Sequence, residues 1–134
     1  MATATNLTVK KYDGTTDVTY TLISGAPGDK LPAIWRNEAF DAIAGNRPVF
    51  TVLSKKIQNG GNKRLVEAKL QMPELYTDTT TGVTSVRLKD VISLPFTLDL
   101  SGKDVTHQEC VAQFLNLMNS PAMRVVLVSG FAPV

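Results

Sequence analysis

The chain is short of the residues that carry most protein chemistry. It has one cysteine and one histidine in 134 residues. A single cysteine cannot close an intrachain disulfide, which excludes a disulfide scaffold. With one histidine beside it, too few soft ligands remain for a closed structural zinc site. Charge of one sign is also lacking. Fourteen Lys and Arg face 12 Asp and Glu, a net charge of +2, so the global balance does not announce a nucleic-acid binder. Long hydrophobic runs are missing too. The longest uncharged stretch, Cys110 to Met123, contains Asn, Gln, Ser and Pro, and nothing spans a bilayer. The opening Met1-Ala2-Thr3-Ala4-Thr5-Asn6 has neither the basic start nor the apolar run of a signal peptide. The expectation is a soluble protein with no membrane partner, made and kept inside a cell or inside something assembled there. Hydrophobic residues at 43% and charged residues at 19% fit one globular domain rather than a disordered chain.

What is present reads first as β-structure. Leu7-Thr8-Val9-Lys10 alternates, Asp13-Gly14 supplies a turn, and Val18 to Leu22 alternates again, which predicts a hairpin. Ala33 to Arg36 suits a short strand, and Asn37 to Asn46 is ambiguous. Val49 to Ile57 and Lys63 to Met72 flank the turn Gln58-Asn59-Gly60-Gly61-Asn62. They predict a long antiparallel pair stopped by Pro73. Tyr76 to Gly82 reads as a polar loop, and Val83 to Leu100 as a further long strand. The period then changes. Val111, Phe114, Leu115 and Met118 recur at helical spacing. Asp104 is the expected N-cap of that helix. Ser120-Pro121 reads as the cap and first residue of a second one. Val125 to Val128 suits helix or strand equally by propensity.

Strands followed by helices give an α+β class. Long strands on so short a chain make a sheet too wide for two short helices to cover. A second copy would resolve this by joining sheet edges or lending its helices.

The charge average hides a local bias. Arg47, Lys55, Lys56, Lys63, Arg64 and Lys69 are opposed over that span only by Glu67, and Arg87 and Lys89 follow. With neighbouring strands paired, Lys55, Lys63, Lys69, Arg87 and Lys89 share one face with Thr51, Ser85 and Ser93. Phe50, Val52, Val66, Ala68, Leu70, Leu88, Ile92, Leu94 and Phe96 share the other. A basic face with hydroxyls neutralises phosphates and hydrogen-bonds bases. The plain alternative is a solvated sheet face, and Leu53, Leu65 and Val91 on the same parity dilute the cationic pattern.

Enzymatic readings have less to stand on. His107 and Cys110 lie three apart on the first helix, half a metal site at best. The expectation is that Cys110 packs as a small apolar residue and His107 faces solvent. Gly60-Gly61 lies in a hairpin turn with no following helix, so it is no phosphate loop. Asp90 breaks the apolar parity of its strand and needs a partner or water. Trp35 reads as a core or interface anchor. No catalytic residue, metal ligand or cofactor is assigned.

The whole layout resembles the coat proteins of single-stranded RNA bacteriophages, the leviviruses. The likeness is carried best by Lys63-Arg64-Leu65-Val66-Glu67-Ala68-Lys69-Leu70-Gln71-Met72-Pro73 and by Asp104 through Pro121. It implies a single coat-protein domain over 1–134, with a hairpin over 5–23, a five-stranded antiparallel sheet over 32–100 and helices over 104–129. It implies an interlocked homodimer, joined edge to edge with exchanged helix packing, that builds an icosahedral shell. In that family the polar sheet face lines the interior and binds a genomic RNA hairpin, repressing replicase translation and marking the genome for packaging. The loop Glu74 to Gly82 would sit at the symmetry axes. By this resemblance the protein is a non-enzymatic virion component, assembled in the bacterial host cytoplasm.

The resemblance also assigns residues. Lys69 matches the family's RNA-facing lysine, Glu67 its polar neighbour and Thr51 a hydroxyl position. Lys89 stands where the family tends to have a base-stacking Tyr. Val49, Leu53, Leu65 and Val91 replace polar residues. The implied RNA-binding set is Thr51, Lys55, Lys63, Glu67, Lys69, Arg87 and Lys89. Its losses imply recognition that is more electrostatic than sequence-reading, or a different hairpin specificity. The rival class is a small cytoplasmic dimeric RNA-binding regulator that forms no shell. The enzymatic rival is a hydrolase using Asp90 or Cys110.

Overall fold

Segments of alternating or β-branched and aromatic residues punctuate the first hundred positions, and these segments form strands. The computed structural model describes residues 2–133. Its strands are β1 (Leu7–Lys10), β2 (Asp17–Ser24), β3 (Ala33–Arg36), β4 (Val49–Lys56), β5 (Lys63–Thr77) and β6 (Thr84–Asp99). Two helices follow, α1 (Asp104–Met118) and α2 (Pro121–Ser129). The chain divides into two compact units, one up to Leu98 and one from Asp99 onward.

The six strands form one antiparallel sheet in chain order. The expected hairpin is not separate from the sheet. Residues 17–20 of β2 pair with β1, while Thr21, Leu22 and Ser24 pair with β3, the register shifting between Leu22 and Ser24. One strand thus serves both neighbours, and the count becomes six rather than five plus a hairpin.

Register places a single apolar row across four strands. Leu22 faces Trp35, Trp35 faces Phe50, and Phe50 faces Leu70. Ala33, Val52 and Ala68 form the adjacent row. The rings of Trp35 and Phe50 are 5.7 Å apart and tilted by 40°, within the favourable range for aromatic pairs. Tyr20, Ala33 and Trp35 form the buried hydrophobic cluster, with Ala4, Leu7, Val18, Leu22, Phe50, Val52 and Leu70 packed against them. Trp35 Nε1 donates to the Thr5 carbonyl at 2.8 Å, which satisfies the one polar atom of the indole. The tryptophan is the core anchor expected of it.

Pro73 does not stop β5, which continues to Thr77. A proline interrupts a strand only where its missing N–H is needed. The pairing of β4 with β5 ends at Val49 and Gln71, so Pro73 lies beyond that ladder and is tolerated. Tyr76 accordingly belongs to the strand. The polar turn is tighter than expected, with Asp78 N–H donating to the Val83 carbonyl at 2.9 Å.

The ambiguous segment after β3 is an ordered connection with a short 3₁₀ turn at Ala44–Asn46. Asn46 is buried and donates to the Asp41 carboxylate at 2.7 Å. Arg47 ties the segment together, donating to the Asp41 and Ala42 carbonyls and pairing with Glu38.

At the first hairpin, Gly14 takes φ 74°, a conformation that glycine adopts without steric cost. Asp13 Oδ1 accepts from the Thr15 and Thr16 N–H groups at 2.9 Å each, and Oδ2 accepts from the Thr16 hydroxyl. These bonds favour the carboxylate, the Thr16 hydroxyl most and the two N–H groups next, and lower the Asp13 pKa from the usual 3.8 to about 2.

In the second unit, α1 begins at Asp104, so that residue is the first helical residue rather than the cap. Lys103 holds the cap position and makes no side-chain bond. Asp104 still places negative charge at the positive end of the helix. Ser120 does cap α2, accepting from Met123 N–H at 3.4 Å, with Pro121 in the first turn. Gly130 ends it at φ 76°. Val125 to Val128 is helical. Neither helix has a buried residue.

Trp35→Ala empties the middle of the apolar row and should cost about 3–5 kcal/mol in chemical denaturation; a loss below about 1 kcal/mol would mean the core lies elsewhere. For Asp13, a folded pKa below the unfolded one means its contribution is complete above about 3.8 and is lost as pH falls through about 2. An NMR titration should place its carboxyl near 2, and a midpoint at the ordinary value would refute the turn geometry.

Candidate nucleic-acid interface

The register that buries Trp35 also decides which cations share a surface. Thr51 faces Lys69, Leu53 faces Glu67, and Lys55 faces Leu65. These odd-numbered residues lie on the side opposite the apolar row, because side chains alternate along a strand. Ile34 stands beside Thr51, and Arg36 beside Val49. On β6, Ser93 donates to Glu67 Oε1 at 2.9 Å. That bond puts Ser93 on the same side, and alternation places Val91, Lys89 and Arg87 with it. The even side chains Leu94, Phe96 and Leu98 are half-buried.

The sequence-derived set divides accordingly. Thr51, Lys55, Glu67 and Lys69 are brought onto one face of β4 and β5 by direct pairing. Arg87 and Lys89 are exposed on β6. Lys63 opens β5 at the hairpin turn, outside the paired residues, so it lies at the rim of the face. Glu67 is occupied by Ser93. Its place between Leu53 and Lys69 leaves the face cationic but not uniformly so.

Two arginines in the basic run do other work. Arg64 pairs with Lys56 across the hairpin, on the opposite side of the sheet. Its guanidinium binds Asp29 and donates to Ser54 Oγ at 3.1 Å. Arg47 is committed to the connection before β4. The sequence reading missed Arg36, which the register adds to the polar face beside Val49, while Gln71 lies there as the parity of Lys63 to Met72 predicts. The signal was the parity of Ala33 to Arg36, unusable without a register for β3. Arg36 is already paired with Glu38 at 2.8 Å.

The residues considered for chemistry stay apart from this face or from each other. Asp90 is exposed, so water satisfies it. Cys110 is exposed rather than packed, while His107 is partly buried with its Nε2 shielded from solvent and unpartnered, the reverse of what was expected. The helix starts one residue earlier than an Asp104 cap would give, and His107 turns toward Gly102. No cluster of three His, Cys, Asp or Glu able to hold a metal occurs among the described residues. No helix among them is long and apolar enough to cross a membrane.

No protein-family model matches the sequence, and neither does any curated protein. Solved structures do. The virus-like particle of Beihai levi-like virus 21 aligns over 99% of this chain and 98% of its own, with a TM-score of 0.81 at 16% identity. The coat protein of bacteriophage EMS014 covers 99% and 100%, with a TM-score of 0.80 at 14% identity. The bacteriophage GA capsid protein covers 98% of each chain, with a TM-score of 0.74 at 20% identity. The chain has the levi-like phage coat-protein fold. The levi-like fold spans both the sheet and the two helices, and the polar face described above is the broad face of its sheet.

Asp29 offers a check on the hairpin end of the sheet. The Lys56 N–H and then the Arg64 guanidinium hold its carboxyl below the usual carboxylate range. Arg64→Ala should therefore raise the Asp29 pKa part of the way by NMR titration, since the Lys56 bond remains. An unchanged value would mean that Arg64 swings free of Asp29.

Proposed function

We propose that this protein is a single-domain capsid protein, residues 1–134, that dimerises, assembles into an icosahedral shell and binds viral single-stranded RNA on the polar sheet face. The observation that carries this is the likeness of the entire chain, sheet and helices together, to proteins solved as virus-like particles and coat proteins. The fold alone fixes an architecture, not a role, and features of this chain add to it.

The apolar surface calls for a second copy. On β6, Leu88 is 59% exposed and Ile92 67%. In the helices Val105, Leu117, Val125, Leu127 and Val128 are exposed. A soluble monomer does not tolerate so much apolar surface. The sixteen-residue β6 ends the strand order, leaving an unpaired edge of the kind that sheets cover or extend. Edge pairing through β6 and exchange of helices would meet both needs.

The polar face supports the RNA role. Lys55, Lys69, Arg87 and Lys89 make no ion pair among the described residues. They are free to replace counterions on phosphates. Thr51 and Ser85 offer hydroxyls to bases or riboses. Assembly is the mechanism, with no chemical step. The protein would act in the virion after assembly in the host cytoplasm, and its RNA binding would serve genome packaging.

Purified protein should appear as closed particles of uniform size in negative-stain electron microscopy. Soluble dimers under all conditions would favour an RNA-binding regulator instead. Cys110→Ala with Asp90→Asn should leave particles intact, and loss of assembly would reopen a role for those side chains. Lys69→Ala with Lys89→Ala should lower the salt slope of single-stranded RNA binding by about 1.4, two phosphate contacts at about 0.7 each. An unchanged slope would place RNA elsewhere.

A further inference from the structure

The polar face of β4 and β5 keeps one carboxylate among its cations. Glu67 lies between Leu65 and Lys69 on that side of β5, directly across from Leu53. Ser93 donates to its Oε1 at 2.9 Å. Among the described residues nothing donates to Oε2, and Glu67 makes no ion pair, although the face supplies Lys55, Lys69, Arg87 and Lys89. The residue is half-buried, and partial burial of a carboxylate without a counter-ion carries a cost. On a surface for phosphates the same charge also repels the ligand. Joining β5 to β6 does not require it, since a glutamine oxygen would accept from Ser93 as well. A ligand group that donates to Oε2 would account for the charge.

On single-stranded RNA the donors are the exposed base edges. Uracil presents one N–H between two carbonyls. Adenine and cytosine each present an amino group beside a ring nitrogen that accepts. Guanine alone sets two donors side by side, N1–H and the N2 amino group. A carboxylate offers two acceptor oxygens and no donor, so the other three bases would bring an acceptor against a negative oxygen. Guanine instead makes two parallel N–H···O bonds, the geometry that arginine uses with carboxylates.

The neighbours of Glu67 suit such a base. Leu53 and Leu65 give the ring an apolar floor. Lys69, two residues along the same face and so about 7 Å away, has no ion-pair partner among the described residues and can take the phosphate. We propose that Glu67 recognises an unpaired guanine of the bound single-stranded RNA, with Ser93 positioning its carboxylate. The inference rests on the RNA-binding reading of the sheet face and adds a base preference, which phosphate contacts alone do not provide.

The test uses unassembled full-length protein and single-stranded RNA oligonucleotides of one length. They are uridine-rich and alike, except that isolated positions carry guanosine, inosine or adenosine. The parent should bind the guanosine oligonucleotide about tenfold more tightly than the adenosine one, within the range of a bidentate base contact. Inosine keeps N1–H and lacks the N2 amino group, so its affinity should fall between the two. Glu67→Gln keeps an oxygen for Ser93 but replaces the second acceptor with a donor. It should bring the guanosine-to-adenosine ratio to about one, and strengthen binding of the adenosine oligonucleotide because a negative charge has left the face. A parent without guanosine preference would overturn the proposal. So would inosine binding equal to guanosine, or a Glu67→Gln variant that shifts every oligonucleotide by the same factor. The inosine comparison needs no variant, so it decides the matter even if Glu67→Gln unfolds. In those outcomes RNA binding on the sheet stands as long as Lys69→Ala with Lys89→Ala still lowers the salt slope. A parent that binds none of the oligonucleotides would end both readings.

Discussion

The apolar row formed by Leu22, Trp35, Phe50 and Leu70 sets everything else in the sheet. Strand register has a period of two, so a slip of one residue would exchange the two faces. The row prevents that slip because only this alignment brings Trp35 against Phe50 and lets its indole N–H reach Thr5. Once the row is fixed, Thr51 must oppose Lys69 and Leu53 must oppose Glu67. The cationic face is thus a by-product of hydrophobic pairing on the reverse side.

The same constraint sorts the basic residues by role. Odd positions on β4 and β5 send Lys55 and Lys69 to the open face, while even positions send Lys56 and Arg64 to the other. Arg64 then finds Asp29, and the loop between β2 and β3 is latched to the hairpin end by that pair, by Lys56 N–H and by Lys30 N–H. An exposed pair of this kind adds little stability by itself. Its consequence is positional: it holds Asp29 and the loop after β2 against the ends of β4 and β5. A run of six basic residues in the sequence therefore divides by position, Arg47 and Arg64 held by carboxylates, Lys55 and Lys69 on the broad polar face, and Lys56 and Lys63 at the hairpin end.

The core is small for a chain of this length. Few apolar residues are buried, and β6 and both helices expose theirs. Isolated helices of this size are marginal in water without an apolar partner. Association would place stability in the contact between copies rather than within one of them, which couples folding to assembly. The capsid reading and the exposed apolar surface are two sides of one physical requirement.

Alternation and β-forming composition marked the strands, and helical spacing marked α1, because these are local properties of neighbouring residues; Ser120-Pro121 marked the start of α2, while Val125 to Val128 suited helix or strand until the structure decided it. The division of odd and even positions on β4 and β5 was legible for the same reason. The resemblance to solved coat proteins was also legible as layout, and the fold comparison agrees with it. Pro73 inside β5, the fusion of the hairpin with the sheet through β2, and the exposure of Cys110 were not. Each depends on which strand or turn lies alongside, information that no single segment contains. Arg64 makes the point most plainly: it is an exposed-looking basic residue in the sequence, but the fold brings Asp29, far away in the chain, alongside it and decides that it is not free.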